Sequence, residues 1–208
     1  MSTPVNPNMD NTWKNRDAFD RDPLHLTGIY ATLADRLKNT SYTDRTALDI
    51  GMGMGCDAAF LARRGYAVDG LDISKIAVDK VQMAAQLVQL NITTHQTTLT
   101  NYQPADSKKK YDVALMLRLL HLLTPPEQTQ TLLCMESFLK PDGYAVLRVL
   151  TDKSGKIEMP GMLRAGELER RFSGWDIKYS EKNVRIPVKL LDGSDGYQVF
   201  DDLIAQRK

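Results

Sequence analysis

Two carboxylates and three glycines carry the first chemical signal in this chain. Asp49 stands two residues before the loop Gly51-Met52-Gly53-Met54-Gly55, and Asp72 follows Gly55 by 17 residues. Glycine at every second position lets a backbone turn sharply and approach a ligand, because no Cβ blocks positive φ or the ligand itself. A helix starting just past such a loop aims its free N–H groups and its dipole at the bound group. An acidic side chain after the next strand can accept both hydroxyls of a ribose. Together these groups make a mononucleotide grip, with adenosine as the expected nucleoside.

Two kinds of adenosine cofactor use such a grip. Gly53, Gly55 and Ala58 fit the G-x-G-x-x-A pattern of dinucleotide binders, which would make the chain a nicotinamide-dependent oxidoreductase. Asp49 opposes that assignment, since a carboxylate there points into the space of a pyrophosphate and like charges at close range cost energy. A cationic ligand suits it. S-Adenosyl-L-methionine, with its sulfonium and ammonium, is the expected cofactor, and Asp49, Gly51, Met52, Gly53, Gly55, Asp72 and Ile73 are its expected contacts. Ile73 supplies an apolar face for adenine.

The elements that must position these groups can be read from periodicity. A helix over residues 24–38 carries Leu26, Ile29, Tyr30, Leu33 and Leu37 at intervals of three and four. Strands and helices then alternate: strand 46–50, helix 56–64, strand 67–71, and helix 74–90 with Ser74 as its N-cap. The Thr-rich strand 92–97 suits a sheet edge, and strand 111–116 follows. Pro125-Pro126-Glu127 opens a helix to about residue 139, which Lys140-Pro141-Asp142-Gly143 closes. Strand 144–150, a Gly- and Met-rich loop and a short helix over 166–172 come next. Strands over 175–180, 184–190 and 197–206, with a turn at 192–196, end the chain. The prediction is an α/β, Rossmann-like domain with a mostly parallel seven-stranded sheet, an antiparallel C-terminal hairpin and helices on both faces. Ligands in such sheets sit at the carboxyl ends of the strands, here Asp49, Asp72, Thr98 and Met116.

The motifs resemble class I methyltransferases, and more narrowly the bacterial tellurite-resistance methyltransferases. The resemblance rests on Leu48-Asp49-Ile50-Gly51-Met52-Gly53-Met54-Gly55, Ala62-Arg63-Arg64-Gly65-Tyr66-Ala67-Val68 and Tyr111-Asp112. Leu139-Lys140-Pro141-Asp142-Gly143-Tyr144 and the run from Gly166-Glu167-Leu168 to Gly174-Trp175 complete it. It implies methyl transfer from S-adenosyl-L-methionine to a heteroatom of a small molecule by in-line displacement, with Leu117 beside the cofactor. The family places Cys or Ser and then Asn where Met52 and Met54 stand, and an acid where Thr98 stands. Adenine is therefore expected to meet Thr98 or a backbone carbonyl, with the Leu99 N–H on a ring nitrogen. A cofactor-binding protein without catalysis is the remaining alternative.

His121 is the one histidine expected near the reaction centre, and packing or general-base work would each fit it. Arg118 must reach solvent, pair with a carboxylate or bind an anionic substrate. Residues 1–22 form a tail or lid ahead of a methyltransferase domain over 23–208, with Trp13, Arg16 and Phe19 at helical spacing. As a lid they would keep water from a reaction that neutralises charge.

At 208 residues the chain suits one domain, and its 42% hydrophobic and 25% charged residues match an ordinary globule. Net charge is +1, so no field of one sign advertises a nucleic-acid or membrane partner, and the Lys108-Lys109-Lys110 run reads as a solvated loop. No Asn-Pro-Pro-Tyr type motif points to base methylation. No apolar run approaches a membrane span, and the polar first ten residues lack a signal peptide's apolar stretch. Cys56 and Cys134 have no neighbouring ligands for a metal and suit a reducing cytoplasm. The oligomeric state is left open.

Overall fold

The computed structural model describes residues 8–19, 27–38, 44–155, 157–189 and 193–208. Strand β1 (Thr46–Ile50) is buried beyond its first residue, as expected of a strand covered on both faces. It pairs in parallel with β2 (Ala67–Asp72) on one side and β4 (Tyr111–Leu117) on the other. β3 (Ile92–Gln96) extends the sheet beyond β2, and β5 (Leu139–Leu150) beyond β4, both parallel. β7 (Asp195–Gln206) runs antiparallel between β5 and β6 (Asp176–Lys189). The resulting order, β3-β2-β1-β4-β5-β7-β6, reverses direction between β1 and β4. That reversal opens a crevice at the carboxyl ends of β1 and β4.

Among the described residues six α-helices accompany the sheet: α1 (Asn8–Trp13), α2 (Thr27–Leu37), α3 (Cys56–Ala62), α4 (Lys75–Leu87), α5 (Pro125–Phe138) and α6 (Glu167–Arg171). Ile29, Leu33 and Leu37 repeat every four residues along α2. With Tyr30 they are buried in one cluster with Phe60 of α3 and the sheet face of Ala47, Val113, Val146 and Ile204. The opposite face, with Leu48, Ile50, Met116 and Leu203, packs with Met135 of α5 and Leu168 of α6. Each fully buried leucine contributes about 2 kcal/mol relative to an exposed one, so the two apolar faces dictate the layering. Two caps fix the ends nearest the crevice. Ser74 Oγ accepts the Ala77 N–H at 3.2 Å, and the Glu127 carboxylate accepts the Thr124 N–H at 2.8 Å.

Several boundaries differ from those read in the sequence. β5 begins at Leu139, because Leu139 already pairs with Tyr111; the Lys140-Pro141-Asp142-Gly143 turn is a bulge inside the strand, with Asp142 at φ 63°. The two segments expected over 175–180 and 184–190 are one strand, β6, whose bulges between Ile177 and Tyr179 and between Glu181 and Val184 hide its continuity. α3 and α4 end at Ala62 and Leu87, earlier than expected. Short 3₁₀ turns at Leu99–Asn101 and Leu120–Leu122 were not anticipated. Residues 24–26, 190 and 192, together with much of the 1–22 tail, lie outside the described residues.

Candidate functional site

Asp49 ends in the crevice with only 2% of its surface exposed. Its carboxylate accepts the Ala58 N–H of the α3 first turn, while Oδ2 is buried with no hydrogen-bond partner. Burial pushes this carboxyl well above the usual carboxylate range, the charge of Asp57 adds to the effect, and Asp72 adds further. A buried carboxylate oxygen beside two other acids is costly unless a proton or a cation meets it.

The glycine loop takes the backbone shape that its residues allow. Gly53 lies at φ 52° and Gly55 at φ 74°, left-handed conformations that admit a ligand-facing turn. Gly51 and Met52 donate their N–H groups to the Leu71 carbonyl at 2.8 and 2.9 Å, which locks the loop to the end of β2. Met52 and Met54 are 4% and 6% exposed and so are packing residues here; the thioether of Met52 occupies the space that a Cβ on Gly70 would need. That packing accounts for a long apolar side chain at Met52, where the family has Cys or Ser.

Asp72 is also buried, at 6% exposure. Its oxygens accept the Gly53 N–H at 2.9 Å and the Ser74 N–H at 2.8 Å, and burial raises its carboxyl although those bonds oppose the rise. Each oxygen retains a further lone pair for a hydroxyl. Half-buried Ile73 follows it, with its carbonyl accepting Gln96 Nε2 at 3.3 Å. Thr98 starts the first 3₁₀ turn, its hydroxyl 3.1 Å from that of Thr100. The Leu99 side chain turns into the core, which leaves only backbone at that position to face a ligand.

At the end of β4, Leu117 is buried and Arg118 adopts φ 65°, an uncommon conformation for a residue with a side chain. The Arg118 N–H reaches the Arg148 carbonyl at 2.8 Å. The Leu119 side chain lies 3.1 Å from where a Gly51 Cβ would be, so it packs over the loop. His121 is 7% exposed, its Nδ1 accepts the Leu150 N–H at 3.2 Å, and burial pushes its pKa down to about 4. The ring is neutral near pH 7, and Nδ1 is committed to the backbone. Gln128, fully enclosed, donates from Nε2 to the carbonyls of Leu120 at 2.9 Å and Gly161 at 2.6 Å. It ties the His121 turn to the loop beyond β5.

The N-terminal segment lies across the glycine loop. Trp13 packs 3.0 Å from the position of a Gly53 Cβ, and Phe19 lies 3.2 Å from that of Gly55. The Phe19 N–H donates to the Met54 carbonyl at 2.9 Å, and Arg16 stands 5.5 Å from the centre of the Trp13 ring. Lys80 of α4 donates to the carbonyls of Trp13, Lys14 and Arg16 at 3.2, 2.9 and 2.6 Å. Asp10 accepts the Ser74 hydroxyl proton. Since Asp72 bonds both Gly53 and Ser74, α1 passes over it.

Among the predicted residues, Asp49, the glycines, Met52, Asp72, Trp13 and Phe19 therefore meet at one place, whereas His121 belongs to the packed turn after β4. Sequence reasoning missed Asp57, Tyr30, Leu119, Lys80 and Gln128. Tyr30 alone carried a signal: a tyrosine on an apolar helix face needs a partner for its hydroxyl.

Comparison with known proteins adds similarities of sequence and fold. Residues 47–143 match a family described as a methyltransferase domain, and that span holds Asp49, the glycine loop, Asp72 and β4. That stretch is thus similar to a methyltransferase domain, and it sits on a seven-stranded sheet ending in an antiparallel hairpin. The chain is 28% identical over 155 residues to a ubiquinone biosynthesis O-methyltransferase of Rickettsia typhi, covering 74% of this chain and 57% of the relative. One from Alkalilimnicola ehrlichii is 27% identical over 131 residues, covering 63% and 49%. The chain thus spans about half the length of the curated relatives it matches. TehB from Haemophilus influenzae shares its fold with a TM-score of 0.73 at 18% identity, over 88% of this chain and 63% of that one. A 1,6-didemethyltoxoflavin-N1-methyltransferase of Burkholderia thailandensis gives 0.67 at 17% identity, over 95% and 81%. No helix among the described residues is long and apolar enough to cross a membrane.

Proposed function

We propose that this methyltransferase moves a methyl group from S-adenosyl-L-methionine to a heteroatom (S, O, N or Se/Te) of a small molecule. The observation that carries the reading is the buried, partnerless Oδ2 of Asp49. A positive group completes that site, and a pyrophosphate would add charge of the wrong sign.

Asp49 and the backbone of Gly51, Gly53 and Gly55 hold the amino-acid portion of the cofactor. Asp72 takes the ribose hydroxyls, Ile73 and the backbone at Thr98 and Leu99 frame the adenine, and Leu117 forms the floor beneath the sulfur. When bound, the cofactor supplies a methyl group on a positively charged sulfur that departs without acid assistance. The protein contributes alignment, for which effective molarities of about 10⁵ M or more are attainable. Helix α1 and the residues after it, with Trp13, Arg16 and Phe19, form a lid that lifts to admit the cofactor and closes to exclude water. Arg118 orients an acceptor of opposite charge.

The names of the curated relatives put oxygen first among the acceptor atoms to try. An imidazole with a pKa near 4 has little proton affinity at neutral pH, so His121 is a poor base even through Nε2. The acceptor accordingly arrives ionised or ionises readily, as phenols of low pKa, carboxylates and thiols do. A reducing cytoplasm, in which Cys56 and Cys134 would stay thiols, is the proposed setting.

Calorimetric titration with S-adenosylhomocysteine and with NADH, followed by a methyl-release screen over phenols, carboxylates, thiols and amines, tests the reading. Micromolar homocysteine-product binding, no NADH binding and turnover with at least one acceptor are expected. NADH binding, or the absence of turnover across the whole panel, would overturn it.

A further inference from the structure

A carboxylate stands in the middle of β2 where packing alone would favour an apolar side chain. Asp69 is 4% exposed and has Leu48 of β1 as its register partner. Its Oδ2 accepts the Tyr111 hydroxyl proton at 2.6 Å and a proton of the Lys109 ammonium, and its Oδ1 stands 3.2 Å from His95 Nε2. Tyr111 has one hydroxyl proton and gives it to Asp69. In the 2.9 Å pair between the Tyr102 and Tyr111 hydroxyls, Tyr102 is therefore the donor. Apolar residues of the same shape would often be as stable as such a buried network, so stability does not account for it. What it holds is the first 3₁₀ turn. Tyr102 closes that turn, its N–H donating to the Leu99 carbonyl at 3.2 Å and its ring packing 5.6 Å from that of Phe138 of α5. At the other end the Thr97 N–H donates to the Asp72 carbonyl at 3.0 Å. The turn is thus fastened to β2 at both ends.

We propose that Asp69, Tyr111 and Tyr102 are positioning residues that set the Thr98–Leu99 backbone against the nucleobase, and so govern the choice of adenine over other purines. This rests on the cofactor reading above and extends it to three side chains outside the glycine loop. The carboxylate fixes the direction of the hydrogen-bond chain, the chain fixes Tyr102, and Tyr102 fixes the turn. A backbone N–H held in place pairs with the bare ring nitrogen N1 of adenine. Hypoxanthine carries a proton on N1, and two opposed donors leave each other unpaired. A turn released from the chain could shift and relax that conflict.

The experiment compares the wild-type full chain with Tyr111→Phe, Tyr102→Phe and the double variant, which lose hydroxyls and keep their rings. Calorimetric titration gives the affinity for S-adenosylhomocysteine, and competition against it gives that for S-inosylhomocysteine. The wild type should prefer the adenine ligand by about 100-fold or more. Each single variant should weaken S-adenosylhomocysteine about threefold to tenfold and leave S-inosylhomocysteine within about twofold. The double variant should lose no more than either single one, because a chain needs breaking only once. Unchanged binding of S-adenosylhomocysteine in the variants, equal weakening of both ligands, or losses that add in the double variant overturn the positioning role and leave the cofactor reading standing. A wild type that does not bind S-adenosylhomocysteine overturns both.

Discussion

Asp49 concentrates the tension between stability and function at the residue scale. Its folded-state pKa lies above the unfolded value, so the native state binds the extra proton, and stability falls as pH rises from about 4 toward the folded pKa. Asp49→Asn removes that penalty. The ligand-free variant should melt about 2–4 °C higher than wild type at neutral pH by calorimetry, while losing cofactor affinity. His121 has the opposite sign. Its pKa is lowered to about 4, so the native state resists protonation, and stability is lost as pH falls from about 6.5 to 4. That shift corresponds to roughly 3 kcal/mol, and His121→Asn, which can still accept the Leu150 N–H, should flatten the urea stability profile in that window. If the variant and wild type keep parallel profiles, the imidazole is not shielded as described.

At the scale of elements, Lys80 of α4 helps to fasten the N-terminal segment, and Gln128 of α5 the loop beyond β5. Lys80 answers three carbonyls at and just past the end of α1, where a short helix leaves such groups unpaired. Lys80→Ala should raise hydrogen exchange in residues 8–19 by an order of magnitude, with β1 unaffected, and speed cofactor association, as expected of a lid. Equal exchange in both proteins would show that Trp13 and Phe19 suffice. Helix positions were legible because apolar spacing reports a face, as in Ile29, Leu33 and Leu37. The Asp49-to-Asp72 device was legible because its spacing is local. What escaped was set by contacts far apart in the chain. Tyr30 meets Asp57 across 27 positions and Lys80 meets Trp13 across 67, and no periodicity records such pairs. The bulges of β6 escaped because they break the alternation by which a strand is recognised.

For the whole molecule, the order β3-β2-β1-β4-β5-β7-β6 brings Asp49 of β1 and Asp72 of β2 to one crevice and sets the Arg148–Asp202 pair, whose side chains are 1% and 0% exposed, between β5 and β7. Removing one member strands a buried charge, so Arg148→Met should destabilise by about 3–5 kcal/mol. The double variant Arg148→Met with Asp202→Leu should recover most of that loss in denaturant melts. Additive losses would mean that the two charges do not act as a pair. The same architecture explains why the glycine loop, and not the fold's far end, is the centre of the account: the bare Asp49 oxygen beside it is completed by a cation. A crystal structure of the chain with S-adenosylhomocysteine tests this most directly. The account predicts the amino nitrogen within about 3 Å of Asp49 Oδ2. An amino group bound elsewhere, with Asp49 still facing only Ala58, would contradict it.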